Sequence, residues 1–330
     1  MAEWIYEAGI GENRAILVES GAILEAQIER EGLGARVGAV LNARLLRTVP
    51  GRRNGFARLE SGEEAMLDHI PPRTSEGSTF KLMILREAIS EPGREKRAIA
   101  RPADPRTPLH AGPGLLERLR EGDTPVFVAD QHGEDALETH GWSELLEEAM
   151  FGEVGGEEAA LRIFVTPAMT LIDVDGTLPP ARLGPGGAKL AAKAIRRMGI
   201  TGSIGIDLPT MNNKDERMTA ANQIDKFLPQ PFERTAVNGF GFIQIIRKRE
   251  RQSLIELLNE DRALTHALAL LRLGQRHGNG VGPVTLTGAT EVIGKLDQRP
   301  AWRDALARQR GGEVVLQGDP ALAISSFHAA

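Results

Sequence analysis

The chain has 330 residues, which is too long for one small module and predicts two or three compact units. Its 41% hydrophobic and 26% charged residues exclude a disordered chain, and its net charge of −5 argues against a general polycation that coats nucleic acid. The sequence contains no cysteine, which excludes disulfides, thiol nucleophiles, iron–sulfur clusters and cysteine-based zinc sites.

The N-terminal sequence and the hydropathy pattern predict a soluble cytoplasmic protein. No apolar run reaches the roughly 18 residues of a membrane span, and residues 1–7 lack the basic and apolar regions of a signal peptide. Short apolar stretches with turns at residues 9–13 and 20–21 predict a β-meander within residues 1–36.

Residues 38–101 contain short apolar stretches separated by glycine and proline. They predict strands at residues 40–46, 55–59, 65–69, 80–88 and 97–101. Short strands that follow one another so closely are typical of a small closed barrel. Residues 101–108 are rich in proline and predict a linker.

Beyond the linker, helical and strand patterns alternate, which predicts an α/β body. Helices are expected at residues 114–121, 141–151, 187–198, 215–228, 253–274, 290–296 and 302–310. Strands are expected at residues 125–129 (buried), 161–165 and 169–174 (a hairpin), 203–207, 237–246, 283–286, 313–316 and 322–327.

Acidic residues on two of these strands form the candidate site. Residues 171–176 read Leu-Ile-Asp-Val-Asp-Gly, and alternation along a strand places Asp173 and Asp175 on one face. After one helix a second strand ends in Asp207, and a strand–helix–strand unit normally makes its two strands parallel neighbours. Carboxylates that meet at the carboxyl ends of parallel strands predict a Mg²⁺ or Mn²⁺ site. The alternative is a structural role, in which a strand-end aspartate caps the following helix.

Five stretches of the chain form an ordered series of motifs, at residues 38–67, 173–177, 191–200, 202–207 and 240–249. Their order resembles that of the ribonuclease E/G family of endoribonucleases. The first is similar to the family's OB-fold RNA-binding barrel. The next three are similar to its Asp-bearing strand, helix and second Asp-bearing strand, and the last to its Phe-Gly segment that ends in Arg-X-Arg. The family has Asn where this chain has Asp175.

The resemblance implies a multidomain fold of α+β and α/β type. Its parts are a ribonuclease-H-like subdomain interrupted by an OB-fold RNA-binding barrel, a DNase-I-like catalytic α/β subdomain and a small C-terminal α/β domain. The implied boundaries are 1–36 for the first part of the ribonuclease-H-like subdomain, 37–101 for the barrel, 102–160 for the linker and second part, 161–252 for the catalytic subdomain and 253–330 for the C-terminal domain.

The implied activity is Mg²⁺-dependent hydrolysis of phosphodiester bonds within single-stranded RNA, in RNA processing or decay. Asp173 and Asp207 would hold Mg²⁺, with Mn²⁺ as the alternative, and Asp175 would be a third ligand or a water-orienting group. No zinc is expected, because the cysteines that link subunits in longer members are absent. Residues 102–114 leave little room for the family's 5′-monophosphate sensor, and a homo-oligomer would form through the C-terminal domain without zinc.

Basic and aromatic residues in the barrel and after the Phe-Gly segment are candidates for contact with RNA. An aromatic ring can stack on a base, and basic side chains can bind the phosphate backbone. The candidates are Phe56, Arg52, Arg53, Lys96, Arg97, Arg247, Lys248 and Arg249. The alternatives are core packing for the phenylalanine and a solvated surface for the basic residues.

Two other functions stay open at this point. Residues 173–178, Asp-Val-Asp-Gly-Thr-Leu, also match the opening motif of haloacid-dehalogenase-type phosphatases, with Asp173 as the nucleophile. A phosphatase of this type would place Lys295 next to the Asp173 carboxylate, whereas a nuclease would place Asp207 next to it. The third possibility is a catalytically silent RNA-binding relative. Residues 184–189 look like a phosphate loop that opens a helix, but they lack the full spacing, so nucleotide binding is not expected.

Overall fold

The computed structural model describes residues 1–51, 53–71, 74–91, 94–131 and 133–330. The chain is a mixed α/β protein with two compact units. The terminal unit comprises Met1–Glu31, Leu119–Phe151 and Leu257–Ala330, and the central unit comprises Gly32–Arg118 and Gly152–Glu256. Among the described residues, no helix is both long enough and apolar enough to cross a membrane.

The chain as far as residue 102 is built from strands. They are β1 (Glu3–Glu7), β2 (Glu12–Glu19), β3 (Ala22–Arg30), β4 (Val40–Thr48), β5 (Gly55–Leu59), β6 (Glu64–Leu67), β7 (Thr79–Arg86), β8 (Ile89–Glu91), β9 (Arg94–Lys96) and β10 (Ala98–Pro102). The meander predicted for residues 1–36 is confirmed, because β1, β2 and β3 pair consecutively as antiparallel strands.

Helices and strands alternate in the rest of the chain. The helices are α1 (Leu115–Arg120), α2 (Trp142–Phe151), α3 (Pro180–Arg197), α4 (Lys214–Phe227), α5 (Leu254–Glu260), α6 (Arg262–Arg276), α7 (Thr290–Asp297) and α8 (Pro300–Arg310). The strands are β11 (Val126–Val128), β12 (Glu153–Gly155), β13 (Ala160–Val165), β14 (Thr170–Asp175), β15 (Gly202–Asp207), β16 (Glu233–Arg234), β17 (Phe242–Arg247), β18 (Val284–Gly288), β19 (Val314–Gly318) and β20 (Phe327–Ala329).

The barrel predicted for residues 38–101 is present in the central unit. Its strands close in the order β10-β6-β5-β4-β7. Alternate residues point inward, and the interior combines bulky Leu45 and Leu82 with small Ala57, Ala65 and Ala100, all fully buried. Small side chains at facing positions let a five-stranded barrel close around a packed core. The barrel is compatible with an OB-like fold.

The central unit also contains a six-stranded mixed sheet, in the order β12-β13-β14-β15-β17-β16. The hairpin of β13 and β14 and the parallel pairing of β14 with β15 are both confirmed. One face of the sheet carries Ile172, Val174, Ile204 and Ile206, which are buried. Helix α3 covers this face, whereas the alternate residues on the opposite face are exposed or half-buried, apart from Gly205.

Helix α3 begins seven residues earlier than the sequence pattern predicts, at Pro180 rather than residue 187. The glycine-rich run is therefore helical, and its likeness to a phosphate loop was misleading. A Cβ on Gly187 would lie 2.2 Å from Val174 Cγ1, and one on Gly184 would lie 2.6 Å from Met211 Sδ. Glycine is poor in helices, but here it allows the helix to approach the sheet closely.

The terminal unit joins residues from before and after the barrel. Its first sheet has the order β11-β1-β2-β3, with β11 parallel to β1, and a second sheet has the order β19-β18-β20. Helices α6, α7 and α8 pack on the second sheet around Leu270, Leu286 and Leu306. The predicted five-part division of the chain stays a prediction; contacts in the structure group Leu257–Ala330 with the meander.

Two strand predictions in the terminal unit were wrong in part. Strand β11 is an edge strand whose Phe127 and Val128 are about half exposed, whereas the apolar run predicted a buried strand. Strand β20 begins at Phe327, so the strand predicted for residues 322–327 is displaced. The preceding residues form turns, because the Asp319 carboxylate accepts a hydrogen bond from the Ala321 N–H at 2.8 Å.

Candidate functional site

The register of two neighbouring strands brings two of the predicted site residues together. Asp173 on β14 lies directly opposite Asp207 on the parallel strand β15. Adjacent strands are about 4.8 Å apart, and alternation places both side chains on the open face of the sheet. Asp207 is exposed and Asp173 is half-buried. Two carboxylates therefore lie side by side at the carboxyl ends of their strands, as the sequence predicts.

Neither carboxylate has a partner among the described residues. No hydrogen bond or ion pair involves the side chain of Asp173 or Asp207 in that part of the chain. Like charges opposite each other on neighbouring strands repel and destabilise the pairing. A divalent cation between them removes that repulsion. The pair therefore fits a hard cation such as Mg²⁺ better than it fits a purely structural role.

Asp175 lies two residues beyond this pair, in different surroundings. Its carboxylate is 3.9 Å from the guanidinium of Arg162, and both side chains are more than half exposed. The two residues also line a shallow depression with Glu153. Within the described ranges, no group of three or more His, Asp or Glu residues could hold a metal. Two carboxylates are enough for Mg²⁺ when waters and substrate phosphates complete its shell.

A turn beside the carboxylate pair presents an aromatic ring that the sequence analysis missed. Phe240 is 82% exposed. The Asn238 side-chain oxygen accepts hydrogen bonds from the N–H groups of Phe240 and Phe242 at 2.9 and 3.0 Å. Gly241 has φ +96°, and a Cβ there would lie 2.1 Å from the carbonyl oxygen of Leu208. This turn explains why β17 begins at Phe242 and not at residue 237. The Asn-Gly-Phe-Gly sequence is the signal that could have revealed it.

On the barrel, the predicted stacking residue Phe56 is half-buried and flanked by two guanidinium groups. The Arg47 guanidinium carbon lies 4.4 Å from the centre of the ring and that of Arg97 lies 5.5 Å from it. Arg97 is one of the predicted RNA contacts. Arg47 is not among them, because it precedes the predicted barrel loop. Met66 lies opposite Phe56 on the neighbouring strand. An aromatic ring framed by arginines is typical of surfaces that bind single-stranded nucleic acid.

The remaining predicted RNA contacts are more dispersed. Arg53 is exposed in the loop before β5, Lys96 ends β9, and Arg52 lies outside the described residues. Arg247 donates a hydrogen bond to the carbonyl oxygen of a buried residue, Ile200, at 2.9 Å.

Two further basic residues follow Arg247 in the chain. Arg249 forms an ion pair with Glu256. Lys248, 76% exposed, is 2.6 Å from Glu250. Both arginines of this segment therefore have structural contacts, and RNA binding by the segment stays a prediction.

Lys295, which a phosphatase would place at Asp173, has a partner in the terminal unit. Its ammonium group is 2.6 Å from the carboxylate of Asp261, the N-cap of α6. Burial alone would raise the pKa of Asp261, but hydrogen bonds from Lys295 and from the Leu264 N–H hold it below its usual value. Asp207 is the residue found beside Asp173. No known protein-family model and no curated protein sequence matches this chain.

Proposed function

We propose that this chain is a metal-dependent endoribonuclease of the ribonuclease E/G type that acts on single-stranded RNA. The observation that carries the proposal is the direct pairing of Asp173 with Asp207, both without partners among the described residues. Mg²⁺, with Mn²⁺ as the alternative, would bind these carboxylates; when bound, it polarises the scissile phosphate and acidifies a water molecule. The finer architecture belongs to the same proposal: a ribonuclease-H-like sheet, an OB-fold barrel and a DNase-I-like subdomain.

The other residues of the central unit would bind and orient the RNA. Phe56 offers a surface for one base. Arg47 and Arg97 beside its ring would bind the backbone, and Arg97 would exchange its 3.0 Å ion pair with Glu64 for a phosphate. The exposed ring of Phe240 provides a second stacking surface, two residues before Phe242, which pairs with Asp207 across β15 and β17. Asp175 would orient the attacking water or influence its approach. We also propose that cleavage ignores the 5′ end, and that copies of the chain assemble through the C-terminal segment without zinc.

Cleavage of an internally labelled single-stranded RNA tests the proposal. Wild type is compared with Asp173→Asn and Asp207→Asn, with Mg²⁺ or with a chelator, on substrates with a 5′-hydroxyl or a 5′-monophosphate. We expect metal-dependent internal cuts that are indifferent to the 5′ end and fall about a thousandfold in both variants, because metal catalysis contributes several kcal/mol. The matched control is Asp215→Asn, which removes an exposed carboxylate from α4 and should keep full activity.

Two other outcomes would contradict the nuclease proposal and support one of the two alternative functions. Intact RNA together with phosphate release from p-nitrophenyl phosphate, lost in Asp173→Asn but not in Asp207→Asn, would identify a phosphatase. RNA binding without either activity, unchanged in both variants, would identify a silent RNA-binding protein.

A further inference from the structure

Positive charge is concentrated on one helix of the central unit. Helix α3 spans 18 residues and contains five basic residues and no acidic one, in a chain whose net charge is −5. Its buried side faces the sheet, where Gly187 contacts Val174. Lys189 and Lys193 lie on the exposed side, one turn apart. Like charges at this spacing destabilise a helix, so folding alone does not favour the arrangement.

Three lysines converge on a single aromatic ring at this surface. The ammonium groups of Lys189, Lys193 and Lys226 lie 5.5, 5.4 and 5.3 Å from the centre of the Phe227 ring. Lys226 and Phe227 are the last two residues of helix α4, which packs beside α3. We call these four residues the lysine cluster. The ring attracts each ammonium group, but it does not neutralise the charges.

No carboxylate neutralises the lysine cluster within the described part of the chain. None of its three ammonium groups has an ion pair or a hydrogen bond there. The acid nearest in sequence is Asp225, and Arg234 binds both of its oxygens, one of them at 2.7 Å. The hydrogen bond from Arg234 holds the pKa of Asp225 below its usual value, which keeps that pair intact. The lysine cluster is therefore available to an external anion.

We propose that the lysine cluster is a second binding site for single-stranded RNA, distinct from the carboxylate pair. The lysines would bind consecutive phosphates, and a base would stack on Phe227. Proteins that bind single strands combine a basic surface with aromatic rings in this way. The cluster lies on the helical layer that covers Ile172 and Val174, whereas Asp173 and Asp207 lie on the opposite face of the sheet. It would thus hold RNA flanking the cleaved region, and its binding does not depend on cleavage.

Fluorescence anisotropy with a labelled single-stranded RNA in chelator tests the proposal without cleavage. The variant combines Lys189→Gln, Lys193→Gln and Lys226→Gln. The control removes three exposed charges elsewhere, by Arg106→Gln, Lys214→Gln and Arg308→Gln. We expect the cluster variant to bind at least about tenfold more weakly than the control. The slope of log affinity against log salt should fall by about 2, since each phosphate contact on a single strand contributes about 0.7.

Two further variants separate charge from stacking and from misfolding. Replacing the three lysines by arginine keeps the charge and should restore most of the affinity. Phe227→Leu keeps the lysines and should weaken binding about tenfold with the salt slope unchanged, because stacking is worth about 1–3 kcal/mol per base.

Two results would overturn the proposal. One is an equal loss of affinity in the cluster variant and the charge-matched control. The other is normal RNA binding by Phe227→Leu together with competition by poly-glutamate as strong as by RNA of equal charge, which would assign the surface to an acidic protein. Both readouts are independent of the cleavage assay, so failure of the nuclease proposal leaves this test intact.

Discussion

Acidic side chains in the two units have opposite surroundings. In the terminal unit, the buried carboxylate of Glu12 accepts hydrogen bonds from Arg30 at 2.8 Å and from Arg272 at 2.6 Å. In the central unit, Asp173 and Asp207 lie side by side, with no partner among the described residues. The difference indicates that the same chemical group, a carboxylate, contributes to folding in one unit and remains available for a ligand in the other.

The buried ion pairs of the terminal unit form a network. Arg14 binds Glu7 at 3.0 Å and Asp135 at 2.6 Å, and Arg276 also binds Glu7. These side chains come from β1, β2, α6 and the segment before α2, so the network joins distant parts of the chain. A buried ion pair stabilises a fold only when its remaining donors and acceptors are satisfied.

Arg30 shows that this condition is met beside Glu12. Its other guanidinium nitrogens donate to the carbonyl oxygen of Leu257 and to the hydroxyl of Thr265, both at 3.0 Å. Burial lowers the pKa of Arg272, but a guanidinium group remains protonated at any pH near neutrality.

The largest expected effect comes from removing one charge of this network. Glu12→Gln leaves Arg30 and Arg272 buried without their counter-ion, and we expect the free energy of unfolding to fall by about 3–5 kcal/mol. Tryptophan fluorescence reports on this unit, because all three tryptophans, Trp4, Trp142 and Trp302, are buried in it. Urea titrations followed by tryptophan emission give the value.

The matched control for that variant is Glu3→Gln, the same chemical change on an exposed residue of β1. It should shift the free energy of unfolding by less than about 0.5 kcal/mol. Equal effects of the two substitutions would show that the buried network contributes nothing specific.

Low pH should also destabilise the terminal unit, because it neutralises carboxylates of the same ion-pair network. Burial alone would raise the pKa values of Glu12 and Asp135, but Arg272 and Arg30 hold the first below its usual value, and Arg14 holds the second there. A lowered pKa means that the stabilisation is complete above the ordinary carboxyl pKa and is lost as the pH falls through the folded-state value.

The check is the urea midpoint of tryptophan emission, measured from pH 6 to pH 2. We expect a fall in the acid range that persists at 1 M salt, because buried pairs are screened little. Glu12→Gln should show a shallower fall, since one titrating group is gone. A fall in the urea midpoint that disappears in high salt would show instead that surface charges cause it.

The sequence was sufficient for the features that depend on local patterns. Alternation and turn residues predict the five barrel strands, and a strand–helix–strand unit predicts that Asp173 and Asp207 are neighbours. The network around Glu12 could not be predicted, because it pairs residues about 260 positions apart.

Two other features escaped prediction for physical reasons. Gly187 lies within a helix because close packing against the sheet outweighs its low propensity. From the sequence alone, Phe227 looks like an ordinary apolar residue of an amphipathic helix. Only the neighbouring helix shows that lysines surround its ring.

The smallest expected effect distinguishes the carboxylate pair from its neighbour. Asp175→Asn removes an ion pair with Arg162 that is more than half exposed on both sides, so the free energy of unfolding should change by less than about 0.5 kcal/mol.

Calorimetry should also show that Mn²⁺ at ten times its dissociation constant still stabilises this variant by about 1.4 kcal/mol, as in wild type. Asp173→Asn should abolish that stabilisation while leaving tryptophan emission unchanged, because the tryptophans lie in the other unit. Loss of the Mn²⁺ effect in Asp175→Asn would instead make Asp175 a third ligand and extend the ligand set beyond the pair.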